Sequence, residues 1–288
     1  MKITLVLSGG GARGMAHIGV IEELLRRGHE IVSVAGTSMG SVVGGVYALG
    51  KMTEFRDWLY TLDKLKVFGL VDFTLSSQGL IKGEKVFQRM REFIEDKKIE
   101  ELPIPYVAVA ADIINMKEVV FDSGSIYDAM RASVAIPTVL KPVKTENGLL
   151  VDGGVMNNIP VSRARRVDGD IVVAVNVNAD IPVAGNLLTL QEEDQKESLY
   201  QSKLREFYQH LSKINPFGHE ERLGYFDLIN HTINIMTNRL ANYALEIHTP
   251  DILIETSRDA CSTFDFYRAE EMVEMGRNAA IEKLDALL

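Results

Sequence analysis

The apolar run Ile3-Thr4-Leu5-Val6-Leu7 passes without a break into Ser8-Gly9-Gly10-Gly11-Ala12-Arg13-Gly14, and a helical pattern starts directly behind it. A short continuous apolar run reads as a strand buried on both faces. A glycine turn that carries such a strand straight into a helix points to α/β architecture. The same rhythm recurs. Met15–Arg27 is a helix with Ile18, Ile21 and Leu25 on one face, Ile31–Ala35 a second strand, and Ser41–Leu49 a small-residue helix. Tyr106–Ala111, Lys117–Phe121, Gly148–Val151, Ile171–Val177 and Ile252–Glu255 read as further strands. Phe55–Leu65, Glu84–Ile94, Ile126–Ser133 and Phe266–Leu288 read as helices. The expected fold is a mainly parallel sheet with helices on both faces.

The chain has 288 residues and is expected to form one domain over 1–288. Within it, 187–248 departs from the βα rhythm. Gln191–Lys213 and Phe226–Ala244 read there as helices joined through Asn215-Pro216-Phe217-Gly218, and the stretch is taken as a helical insertion or cap. The formal net charge of -9 argues against nucleic acid as a partner, because phosphate binding needs a cationic surface. The single cysteine, Cys261, leaves no internal disulfide. The first apolar run is too short for a signal-peptide core, and no stretch approaches the ~20 apolar residues of a membrane span. A cytoplasmic protein is expected, in at most peripheral contact with a membrane. Its oligomeric state is left open.

Three loops carry the chemistry. In the first, the amides of Gly9, Gly10 and Gly11 are bare of side chains and face a helix start, where a phosphate or a developing oxyanion can bind. Gly9, Gly11 and Gly14 also satisfy the dinucleotide pattern G-x-G-x-x-G. That reading requires an acid at the end of the second strand, and Ala35-Gly36-Thr37 stands there instead. The second loop, Gly36-Thr37-Ser38-Met39-Gly40, has the form of a nucleophile elbow between a strand and a helix. The pattern alone arises by chance in roughly one chain in ten of this length, so its strand–helix setting is what gives it weight. The third, Asp152-Gly153-Gly154, closes a strand, where a carboxylate can reach the same sheet edge as the serine.

Gly9-Gly10-Gly11-Ala12-Arg13-Gly14, Gly36-Thr37-Ser38-Met39-Gly40 and Asp152-Gly153-Gly154, in this order, resemble the signature blocks of patatin-like phospholipases. Ala132-Ser133-Val134-Ala135-Ile136-Pro137 is similar to a further block of that family, and Met15-Ala16-His17-Ile18-Gly19-Val20 to its helix opening. The D-G-G form matches bacterial members better than plant patatins. The resemblance covers roughly residues 1–180. It implies the three-layer patatin fold and a serine lipid acyl hydrolase of phospholipase A, lysophospholipase or carboxylesterase type, acting on phospholipid or another acyl-ester lipid. Ser38 would be the nucleophile and Asp152 the base. Backbone N–H groups of Gly10, Gly11 and Ala12 would hold the oxyanion, and Arg13 would either orient a lipid phosphate or make a salt bridge at the helix start. No cofactor or metal is implied. An acyltransferase on the same elbow and a non-enzymatic lipid binder are the alternative functions. A Ser–His–Asp triad is the alternative mechanism, with His17, His29, His210, His219, His231 and His248 as its possible bases. His17 is read as a packing or capping residue.

Overall fold

A computed structural model of the chain describes residues 1–70, 73–76, 79–183 and 225–287. Five strands run parallel in the order β10-β9-β1-β2-β5: β10 is Ile252–Ser257, β9 Asp170–Ala179, β1 Lys2–Leu7, β2 Glu30–Thr37 and β5 Tyr106–Asp112. The sheet continues through β8 (Leu149–Asp152), antiparallel to β5, and β7 (Val143–Lys144), antiparallel to β8. β6 (Lys117–Phe121) folds back antiparallel on β5. β3 (Phe73–Ser76) and β4 (Gly79–Ile81) form a separate two-stranded ribbon.

After Lys2 every residue of β1 is buried, as its unbroken apolar run requires of a strand covered on both faces. Ile3, Leu5 and Leu7 join the core shared with α1 (Ala16–Arg26), α2 (Met39–Ala48) and the C-terminal helix α8 (Ala269–Asp285). Val6, Val172 and Ala174 face the other way, against Ile159 and Ala241, with Leu245 packed beside them. Ala241 and Leu245 belong to α7 (Tyr225–Ile247), so this helix covers the second face of the sheet. The helix expected over Gln191–Lys213 and the link expected at Asn215–Gly218 lie outside the described residues, as does most of 187–248.

α1 and α8 meet backbone to backbone. A Cβ on Gly19 would overlap the carbonyl of Val273, and one on Gly276 the carbonyl of Ala16. The helix expected over Phe55–Leu65 is instead two, α3 (Met52–Tyr60) and α4 (Lys64–Leu70). The Thr61 hydroxyl donates back to the Trp58 carbonyl at 2.7 Å, while the Asp63 carboxylate accepts from the Lys66 N–H at 2.8 Å and caps the second helix. The last two helices of the first half are α5 (Glu84–Arg91) and α6 (Ile126–Ser133), the latter capped by Ser125, which accepts from the Asp128 N–H.

One feature of the sheet positions the site. β6 pairs with β5 from Ala108 to Asp112, so β2 and β8 must share the opposite edge of β5. On that edge Thr37 lies opposite Val109 and Asp152 opposite Ala110. The ends of β2 and β8 therefore meet head to head.

Candidate active site

Ser38 follows the last residue of β2 and has φ 53° and ψ −127°, a positive-φ conformation that a side-chain-bearing residue holds only under constraint. The constraint is close packing. A Cβ on Gly36 would overlap the carbonyl of Gly40, and one on Gly40 would overlap the carbonyls of Leu7 and Ser8. Glycine at both positions lets the turn close under the serine. The Ser38 N–H donates to Ser133 Oγ at 2.8 Å, and that hydroxyl donates to the Val109 carbonyl at 2.6 Å.

The Ser38 hydroxyl donates to Asp152 Oδ2 at 2.5 Å. Asp152 Oδ1 accepts from the Gly154 N–H at 2.8 Å, and the Asp152 N–H donates to the Ala135 carbonyl at 2.9 Å. The two residues are 5% and 7% exposed. Burial pushes the Asp152 carboxyl up to about 6, against the opposing pull of the bonds from Ser38 and Gly154. Ser133 and Ala135 both belong to the Ala132–Pro137 block, so the end of α6 holds the serine and the aspartate together. Neither role was visible in the sequence, where the block stood out only by resemblance.

The glycine loop is tied down almost atom by atom. The Ser8 N–H donates to the Val175 carbonyl, and Ser8 Oγ accepts from the Val177 N–H. The Gly9 N–H donates to the Asn158 carbonyl at 3.1 Å, and Asn178 Nδ2 donates to the Gly9 carbonyl at 2.6 Å. Behind it, Gly11–Met15 forms a single 3₁₀ turn leading into α1. Gly10 is the N-cap of that turn and Gly11 its first residue, where N–H groups have no acceptor upstream in the turn itself. Ala12 differs from the expectation. Its N–H donates to the Thr263 carbonyl at 2.9 Å, so it is already engaged and is not free for an oxyanion.

Arg13 also departs from expectation. Its Nε and one terminal nitrogen donate to Asn178 Oδ1 at 3.2 and 3.0 Å, and the other donates to the Cys261 carbonyl at 3.0 Å. Desolvation lowers its pKa. The guanidinium fastens the loop to the end of β9 and to Cys261, and three of its five N–H groups are used there. Gly14 packs against Met39 behind the elbow, and Gly153 against the Val109 carbonyl.

His17 is fully buried. Its Nε2 bonds to the Ser8 carbonyl at 2.8 Å, its Nδ1 has no partner among the described residues, and burial lowers its pKa to about 4. It is a neutral strut under the glycine loop. His29 sits within 3.5 Å of the N-terminal amine at the far end of β1, and His231 and His248 lie on and just beyond α7. His210 and His219 are outside the described residues. Among the described residues the hydroxyl of Ser38 bonds to a carboxylate and to no imidazole.

The patatin-like phospholipase family model matches residues 5–165, more than half of the chain. An NTE family protein of Mycobacterium tuberculosis is 34% identical, over 99% of this chain and 92% of its own length. A second NTE family protein of that organism is 30% identical over 99% of this chain and 47% of its own. Patatin-like phospholipase domain-containing protein 6 of Mus musculus is 26% identical over 95% of this chain, which spans 20% of the mouse protein. Among solved structures, VipD from Legionella pneumophila aligns with a TM-score of 0.46 and 14% identity, over 99% of this chain and 66% of that one. The chain belongs to the patatin-like phospholipase family.

Proposed function

We propose that this protein is a serine lipid acyl hydrolase in which Ser38 is the nucleophile and Asp152 the base. The observation that carries the reading is the buried 2.5 Å bond from the Ser38 hydroxyl to the Asp152 carboxylate. A base with its pKa near 6 is ionised at neutral pH yet still basic enough to take a proton in the transition state. Ser38 Oγ bonds to the acyl carbon of an ester, its proton passes to Asp152 Oδ2, and the carbonyl π pair moves onto oxygen. The N–H groups of Gly10 and Gly11 receive that oxyanion, at roughly 3–4 kcal/mol per donor. The tetrahedral adduct collapses, the proton goes from Asp152 to the leaving alkoxide, and an acyl-serine remains. Water attacks it with Asp152 again as base, and the fatty acid leaves.

The family points to acyl-ester lipids as substrates. Contact with a lipid surface is part of the proposal. The turn between β5 and β6 exposes Ile113, Ile114 and Met116 at 49%, 63% and 85%, beyond the strand that flanks both Thr37 and Asp152. No helix among the described residues is long and apolar enough to cross a membrane.

The test pairs a fluorophosphonate probe with turnover of p-nitrophenyl acyl esters, in wild type and Ser38→Ala. Labelling and turnover that both disappear in the variant support an activated Ser38. A folded wild-type protein that neither labels nor turns over refutes the hydrolase reading. Acyl transfer to an added alcohol with no free fatty acid would favour an acyltransferase on the same serine.

A further inference from the structure

Asn158 is 5% exposed, and its carboxamide makes no hydrogen bond among the described residues. Its main chain, by contrast, is held on every side. Its carbonyl accepts from the Gly9 N–H, the preceding carbonyl of Asn157 accepts from Thr37 Oγ1 at 2.8 Å, and the Asn157 N–H donates to the Gly153 carbonyl at 2.8 Å. Asn157 Nδ2 is pinned in turn to Glu118 Oε1 at 2.9 Å. The segment therefore bridges all three signature loops, and the direction of the Asn158 side chain is set by these bonds.

That direction is into the site. A Cβ built on Gly9 would overlap Asn158 Oδ1 and come within 3.0 Å of the Ser38 Cβ. A Cβ built on Gly154 would lie 3.0 Å from Asn158 Oδ1 and 3.1 Å from Asp152 Oδ1. Both glycines leave the space that the carboxamide oxygen enters, beside the Ser38–Asp152 pair. A nearly buried carboxamide that bonds to no protein group keeps its N–H and C=O for whatever enters the site. In this position the group that can complete it is the substrate.

We propose that Asn158 is a catalytic residue that contacts substrate. With the carboxamide turned over, so that its nitrogen takes the place Oδ1 holds beside Gly9 and Gly154, its N–H donates to the acyl carbonyl oxygen as the oxyanion forms, beside the N–H groups of Gly10 and Gly11. The proposal rests on the hydrolase reading above. It accounts for glycine at positions 9 and 154 in terms of space for this side chain, which neither the turn at Gly9 nor the bond from the Gly154 N–H to Asp152 requires.

The test compares wild type, Ser38→Ala, Asn158→Ala and the isosteric Asn158→Asp for kcat, KM, fluorophosphonate labelling rate and thermal midpoint. Loss of one oxyanion donor should lower kcat and the labelling rate about 10²-fold in both Asn158 variants, with KM changed by less than about threefold. Asn158→Ala should melt no lower than wild type, because no hydrogen bond is lost. Asn158→Asp should in addition move the acid limb of the pH–rate profile upward, since a second carboxylate would face Asp152. Unchanged kcat in both variants, with a wild type that works through Ser38, overturns the role of Asn158 alone. A fall in kcat that tracks a fall in thermal midpoint also overturns it, as the signature of a structural residue. A folded wild type without labelling or turnover overturns this proposal together with the hydrolase reading.

Discussion

Asp152 and His17 are both buried ionisable groups, and burial moves them in opposite directions. The Asp152 carboxyl is raised to about 6, so between about 4 and 6 the folded state holds a proton that the unfolded state has given up. Its contribution to stability falls as pH rises through that window. His17 is lowered to about 4, so as pH falls from about 6.5 the unfolded state gains a proton that the folded state refuses, and stability is lost. The two slopes offset each other in the wild type. We expect Asp152→Asn to abolish turnover and yet raise the thermal midpoint by a few degrees at pH 8, a gain that shrinks as pH drops toward 4. His17→Gln, which keeps an N–H for the Ser8 carbonyl, should retain most of the turnover. Its midpoint should lie below wild type at pH 8, and the deficit should narrow as pH falls toward 4. Wild-type kcat should fall as pH drops through about 6, and a profile flat down to pH 5 would mean that Asp152 is not the base.

Among the elements, the α1–α8 contact is the one with least tolerance. α1 grows out of the glycine loop, and Gly19 and Gly276 let it lie directly on α8. Gly276→Ala would push the two backbones apart and cost about 3 kcal/mol, read as a lower urea midpoint, with a matching loss of probe labelling as the loop shifts. The β5–β6 turn makes a different demand. Asp112 accepts from the N–H groups of Ile114, Asn115 and Leu149, so the turn is rigid, and its exposed apolar residues contribute nothing to the core. We expect Ile114→Asp with Met116→Asp to leave the thermal midpoint and turnover of a soluble p-nitrophenyl ester unchanged. Co-sedimentation with phosphatidylcholine vesicles should fall severalfold, and unchanged sedimentation would remove this turn from any lipid contact. α7 has a structural duty as well as whatever a cap contributes. Removing 225–247 uncovers Val6, Val172 and Ala174, and we expect the truncated chain to lose its cooperative thermal transition. A truncated protein that melts cooperatively with altered acyl-chain preference would make α7 a separable cap.

For the molecule as a whole, the sequence by itself determined the α/β class, most of the strands and helices, and the three loops proposed to hold nucleophile, base and oxyanion. These are local properties. An apolar run flanked by glycine is a buried strand wherever it packs, and Gly36-Thr37-Ser38-Met39-Gly40 closes its turn through its own small residues. Tertiary structure decided how the loops meet. That β8 runs antiparallel along the edge of β5 that β2 also uses is a long-range pairing with no local signal, yet it is what sets Asp152 against Ser38. The same holds for the donors. Ala12 and Arg13 sit inside the signature, but Thr263, Asn178 and Cys261, far along the chain, engage the groups the sequence left open. Asn158 is one polar residue in a loop and carries no pattern. Only the packing of Gly9 and Gly154 around its carboxamide distinguishes it, because hydrogen bonds and steric gaps belong to the folded chain and not to any stretch of it.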